Sequence, residues 1–362
     1  MHLFVTIPQP EGSSYKETFA PLIGELFSPE RTSTHGPYYF VRTWDGRAGA
    51  EVLQISVDGV TDPDAFSDQL RSVAQTFGCT PRIEETPLDQ VPSPLWNAGF
   101  DGTGFSASSK RLFQEAAPIL VSFIRRTMHE QDSLTPALNA IRLMVAHSRS
   151  TLLKSLQREL EGYAFRDLLS LRLLSYRSHY EAIYARSKDP ESFEAACARF
   201  YEQVGSITRE FIAECGDPNG WPNDGSADGT VVRQWSEFIV SRSGSLAEDF
   251  LDGTVVNAGR TLEDLVRERG GPVEPTRFHT PPSAELDRLM NRDADFMAFR
   301  LQTSMLYSCL YTLGFSLAER YVFCYVAARA NEEVAGKPMQ VLQDELDGLA
   351  RRMAAVSAPA AE

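Results

Sequence analysis

The sequence predicts an α+β protein: a small N-terminal ferredoxin-like βαββαβ sheet layer packed on a large, mostly helical body. Three observations carry that expectation. Strand-like and helix-like runs alternate over residues 1–90. From about residue 107 onward, apolar residues recur almost entirely at helical spacing. No internal repeat divides the chain. The sheet layer is assigned to residues 1–90 and the helical body to 107–355, interrupted by a loop at 216–229, the two forming one compact unit.

Each element has a local reason. Residues 2–8 (HLFVTIP) are β-branched and aromatic, and Pro8 ends the strand. Residues 14–27 have helical spacing, with Phe19, Leu22, Ile23, Leu26 and Phe27 on one face. YYFVRTW (38–44) and EVLQISVDG (51–59) predict a strand pair around the turn DGRAGA. Residues 62–78 predict a helix capped by Asp62 and stopped by Gly78, and 81–87 an edge strand. Helical runs then begin near 106, 134, 165 and 189. After the Gly-, Asp- and Pro-rich linker 216–229 come further helices, the later ones at about 283–313 and 316–335 with Gly314 at the break. The Pro-rich stretch 270–284 predicts a loop, and the tail 354–362 predicts a frayed end.

Composition excludes several classes of function. A net charge of −14 argues against non-specific binding of nucleic acid or an anionic membrane. No run of about 18 apolar residues is present, and the first residues lack a signal-like segment, so a cytoplasmic protein is expected. The five cysteines form no C-x-x-C pair and the six histidines no H-x-x-x-H or H-E-x-x-H spacing. Neither a dinucleotide fingerprint nor a Walker loop occurs; GFDGTG (99–104) is a plain glycine-rich loop. No metal site and no cofactor are expected.

One stretch is unusual for a core helix. In SMLYSCLYTLGFSLAER (304–320), Ser304, Tyr307, Ser308 and Tyr311 fall at i, i+3, i+4 and i+7. That spacing puts four hydroxyls on one stripe about 100° wide. Such a stripe is either an internal hydrogen-bond network or the lining of a place where something polar is handled. Cys309 lies off the stripe and is expected to pack.

Two stretches carry a resemblance to a known family. YYFVRTW…AEVLQISV is similar to a strand pair in which an aromatic-rich strand ending in Arg precedes one reading H-L-R-L-R. SMLYSCLYTLGFSLAE is similar to a helix reading S-L-L-H-M-x-x-N-R-L-x-G that continues to a Glu. The chain thereby resembles the thiopeptide pyridine synthases, stand-alone relatives of the small C-terminal elimination domain of class I lantibiotic dehydratases. The departures are informative. Arg42 stands where the first strand's Arg belongs, but Val52, Gln54 and Ser56 replace one His and two Arg. On the helix, Tyr307 replaces the His, and Tyr311 and Thr312 replace Asn-Arg. Cations suit expulsion of a glutamate, so their loss disfavours that elimination and favours an uncharged, peptidic reacting centre.

The resemblance implies a substrate: a leader-bearing, thiazole-containing precursor peptide with two dehydroalanines, which a formal aza-cycloaddition joins into a macrocycle before water and the leader leave. Tyr307 and Tyr311 are the expected acid/base groups or carbonyl donors, with Ser304 and Ser308 positioning them. Arg42, Gln54 and Ser56 are candidates to bind the substrate across a cavity. Arg42 has a second reading, an ion pair with Asp45 or Glu51. The cations Lys154, Arg158, Arg166, Arg172 and Arg177 either contact an acidic leader or form a solvated face beside Glu159, Glu161 and Asp167; Arg158, Arg166 and Arg172 are the leader candidates. The rivals are a stand-alone glutamate-elimination domain and a non-catalytic leader-binding scaffold within a complex of other biosynthetic enzymes.

Overall fold

The computed structural model describes residues 1–28, 35–45, 49–127, 130, 134–155, 163–185, 187–220, 229–258 and 281–357. The chain falls into two compact units. One comprises Met1–Pro136 with Thr303–Leu317, the other Ala137–Gln302 with Ala318–Glu362. The expected boundary between residues 90 and 107 therefore lies inside the first unit.

Four strands make the sheet of the first unit: β1 (Leu3–Pro8), β2 (Tyr38–Asp45), β3 (Ala50–Val57) and β4 (Arg82–Glu85). They run antiparallel in the order β2-β3-β1-β4, so β4 is an edge, as its sequence suggests, and β2 is the other. Helix α1 (Phe19–Leu26) follows β1, α2 (Pro63–Thr76) follows β3, and α3 (Phe105–Thr127) follows β4. Pleating sorts the side chains by alternate residue. Leu3, Val5, Ile7, Leu53, Ile55, Val57 and Phe40 are buried on one face. There Phe27, at the end of α1, stacks on Tyr38 at 4.0 Å between ring centroids and on Phe40 at 5.7 Å. The predicted α1 face is buried in full, although the helix starts at Phe19 and Tyr15–Thr18 form a turn. Asp62 caps α2 through the Ala65 amide at 3.0 Å, and Gly78 ends it with φ +69°. The turn residues 46–48 lie outside the described residues.

The second unit is helical: α4 (Leu134–Ser155), α5 (Phe165–Tyr184), α6 (Pro190–Cys215), α7 (Gly229–Leu251), α8 (Ala284–Arg292), the first half of α9 (Ala294–Thr312), α10 (Leu317–Ala335) and α11 (Met339–Ser357). Buried polar groups tie these helices together. Tyr176 donates to the Met144 carbonyl at 2.5 Å and accepts from Ser148 at 3.1 Å. Arg149 donates to the Cys215 and Asp217 carbonyls, satisfying the C-terminal end of α6. The run expected as one helix over 283–313 divides at Asp293, whose backbone is extended and whose carboxylate caps Phe296 at 3.0 Å. An Asp that can satisfy orphan amides restarts a helix more cheaply than it continues one. The linker from 221, the Pro-rich loop to 280 and the tail past Ser357 lie outside the described residues. Among the described residues, no helix is long and apolar enough to cross a membrane.

Candidate functional site

The hydroxyl stripe lies on the second half of α9, in the same unit as the sheet. From Leu301 to Leu313 this helix is buried, except that Ser304, Ser308 and Tyr311 are half-buried; Tyr307 is buried. The partly accessible line of the helix is thus its polar line. Cys309 is fully buried, and burial pushes its thiol up, which suits the packing role expected of it.

The end of α9 engages the outer edge of β2. The Thr312 hydroxyl accepts the Arg42 amide at 3.1 Å and donates to the Ser308 carbonyl at 2.9 Å. An edge-strand N–H that would otherwise lack a ladder partner is satisfied. Gly314 then ends the turn with φ +96°, and a side chain there would overlap the Tyr15 ring. A glycine is required on both counts.

Around this edge the unit gathers Tyr15, Arg42, Glu51 and Tyr311. The Arg42 guanidinium lies 4.5 Å from the Tyr311 ring centroid and 5.4 Å from that of Tyr15. Its Nε donates to Glu51 Oε2 at 2.5 Å, Nη2 pairs with the same oxygen, and Nη1 donates to the Tyr311 carbonyl at 3.2 Å. The ion pair with Glu51, one of the two readings of Arg42, is the one formed. Glu51 uses its other oxygen, Oε1, to accept the Tyr311 hydroxyl at 2.9 Å. Burial, reinforced by this bond to Glu51, pushes the Tyr311 phenol up to about 12 against the opposing pull of Arg42. With its hydrogen directed at a carboxylate, the phenol oxygen presents lone pairs to any other neighbour. In the resting protein the Tyr311 hydroxyl donates to Glu51 and leaves its oxygen lone pairs for another group.

Tyr15 and Glu51 are the members that sequence reasoning missed as functional candidates. Tyr15 is buried, its hydroxyl has no hydrogen-bond partner among the described residues, and burial raises its pKa well above that of a free tyrosine. Nothing in its sequence context marks it, because Arg42 and Gly314 meet it only in the fold. For Glu51 a signal was present. It faces Trp44 in the strand register, on the same side as Arg42 two residues earlier.

The register separates other candidates. Arg42 pairs with Leu53, whereas Gln54 pairs with Val41 and Ser56 with Tyr39, so Gln54 and Ser56 lie on the opposite face of the sheet. Arg42 and Gln54 cannot hold one carbonyl between them. Ser56 is buried, with its hydroxyl 2.8 Å from His2 Nε2. Of the leader candidates of the helical unit, the described ones differ in their surroundings. Arg166 is exposed at the start of α5, while Arg158 lies outside the described residues. Arg172 stacks over Phe299 at 4.3 Å with a buried Nη1, and burial lowers its pKa to about 10. Its helix turns it inward, so it is not a solvated cation waiting for a peptide. Among the described residues, no group of three or more His, Cys, Asp or Glu could hold a metal ion.

No protein-family model matches the sequence, and no curated protein matches it. Solved structures do. One, described as the crystal structure of TsrL, superposes with a TM-score of 0.68 at 20% identity, over 96% of this chain and 98% of its own. Another, the pyridine synthase TbtD from thiomuracin biosynthesis, superposes with a TM-score of 0.55 at 16% identity, over 93% of this chain and 99% of its own. At such identities the likeness speaks for architecture, and over nearly its whole length this chain has a thiopeptide pyridine synthase-like fold.

Proposed function

We propose that the protein is a macrocyclising pyridine synthase of thiopeptide biosynthesis. Its substrate is a leader-bearing peptide that carries thiazoles and two dehydroalanines. The observation that carries this reading is the stripe Ser304, Tyr307, Ser308 and Tyr311 on the partly accessible line of a helix, in a fold shared end to end with a pyridine synthase. The antiparallel order β2-β3-β1-β4, with α1 and α2 as crossovers, supports reading the sheet as the split βαβ, ferredoxin-like layer.

One dehydroalanine and its preceding amide, as the imidic tautomer, form the aza-diene; the other dehydroalanine is the dienophile. Two carbon–carbon bonds close the six-membered ring: the methylene carbons of the two dehydroalanines join, and the imidate carbon joins the α-carbon of the second. Water and the leader, as its carboxamide, then leave with ring protons to give the aromatic pyridine. Electrons balance throughout, so the steps need no oxidant or reductant. The protein must hold two ends of a flexible chain together, and such orientation is worth about 7–11 kcal/mol in favourable cases. In this reading Tyr307 donates to oxygen atoms where charge develops, and Ser304 and Ser308 position it. Arg42 is a positioning residue that orients Glu51 and Tyr311.

Glutamate elimination is the weaker reading because Val52, Gln54 and Ser56 supply no cation where the resemblance has three. Incubation with a synthetic two-dehydroalanine, thiazole-containing peptide decides the matter by mass spectrometry. The expected product has lost water and leader together, and Tyr307→Phe lowers turnover by ~10²-fold. A peptide recovered intact would overturn the reading.

A further inference from the structure

We propose that Glu51 is the proton acceptor of this site, acting through Tyr311 to tautomerise the substrate amide. The proposal rests on the pyridine-synthase reading and extends it to a residue on the sheet. Three geometric facts carry it. Glu51 divides its carboxylate, with Oε2 held by Arg42 and Oε1 taking the Tyr311 hydroxyl at 2.9 Å. Arg42 is stacked on the Tyr311 ring and bonded to its carbonyl, which fixes the phenol against the carboxylate. The cluster is not sealed: the Arg42 side chain is 10% exposed, Glu51 23%, and Tyr311 half-buried. An ion pair that served only the fold would need no phenol bridging it to the accessible line of α9.

The step moves one proton. The substrate amide N–H passes its proton to the Tyr311 oxygen as the Tyr311 hydrogen passes to Glu51 Oε1. The resulting imidate oxygen then takes a proton back from Tyr311, which recovers its own from Glu51. One N–H bond has broken, one O–H bond has formed, and both side chains return to their starting state. The product is the imidic tautomer that the cycloaddition consumes.

Two independent measurements test this. First, Tyr311 is titrated in the free protein by carbon NMR of ring-labelled tyrosine, assigned with Tyr311→Phe. Glu51→Gln is expected to move the Tyr311 titration down by a unit or more. An unmoved titration overturns the proton-sharing pair, whether or not the protein turns over any peptide. Second, on the two-dehydroalanine peptide, Glu51→Gln is expected to lower kcat ~10²-fold with KM nearly unchanged, and Glu51→Asp to restore part of it. Arg42→Gln with Glu51→Gln removes both charges and guards against misfolding of the single variant. This pair stays inactive if Glu51 accepts a proton; recovery of turnover would show that Glu51 only balances Arg42 and would overturn the proposal. A wild-type protein with no activity on the peptide defeats the functional reading instead, leaving the titration to judge the pair.

Discussion

Tyr15 has a phenol that is buried without a hydrogen-bond partner among the described residues, beside a guanidinium that lies over its ring. Leaving such a donor unmade costs about 1–3 kcal/mol. Tyr15→Phe should therefore raise the urea midpoint, by ~1 kcal/mol of stability, since the ring packing is kept. A loss of stability of that size would mean that the hydroxyl has a partner in solution. The same arithmetic explains why Arg42 is engaged on every side. A buried guanidinium is tolerated only when paired, and Glu51 with the Tyr311 carbonyl supply the pairing. Arg42, a candidate substrate clamp by its place in the strand, is held by Glu51, the Tyr311 carbonyl and the Tyr311 ring.

At the scale of elements, the joint between α9 and α10 depends on Gly314. Its positive φ already disfavours any other residue, and the Tyr15 ring occupies the space a side chain would need. Gly314→Ala is expected to destabilise the protein by ~2 kcal/mol or more. In a Tyr15→Ala background the steric part should disappear and a smaller penalty, from φ alone, should remain. Equal penalties in the two backgrounds would show that the ring does not set the constraint. Where α9 is docked, Thr312 satisfies the β2 edge and Tyr311 reaches β3, so the helix's register fixes where the stripe lies. A shift of one residue would turn the stripe through about 100° and remove Tyr311 from Glu51.

For the whole molecule, burial of ionisable groups bounds the pH range of stability. Tyr38, Tyr39 and Tyr311 are each raised from 10.0 to about 12, in each case first by burial. A raised folded-state value contributes stability that is whole below pH 10 and is lost as pH climbs through 12. His147 works at the other end. Burial, and then Arg172, depress it from 6.5 to about 3, and its Nδ1 accepts from Trp235 Nε1 at 3.4 Å. Its contribution is present above pH 6.5 and lost as pH falls toward 3. Burial also raises the thiols of Cys79, Cys197, Cys215 and Cys309 from 9.0, so stability from urea midpoints should be flattest between about 6.5 and 9 and decline on both sides, and His147→Phe should make the acid limb shallower. An acid limb of unchanged slope would remove His147 from the account.

How much of this was legible in advance follows from the range of the interactions concerned. The strands, the Asp62 cap, the Gly78 stop and the α1 face are set by neighbours a few residues apart, and all could be read from the sequence alone. So could the hydroxyl stripe, because helical periodicity places Ser304, Tyr307, Ser308 and Tyr311 together whatever surrounds them. The break at Asp293 was also local, but a capping Asp among Asn291, Arg292 and Asp295 reads equally as a surface residue of a longer helix. What only the tertiary structure decided was which groups meet. Arg42 and Tyr311 are 269 residues apart, Glu51 and Tyr311 260. Strand register, not residue type, put Gln54 and Ser56 on the face away from Arg42. Helix rotation turned Arg172 inward onto Phe299. Local chemistry determines the elements because their hydrogen bonds and apolar faces close over short spans. A site joins side chains across the chain, and their partnership exists only once packing has chosen the register of each element against the next.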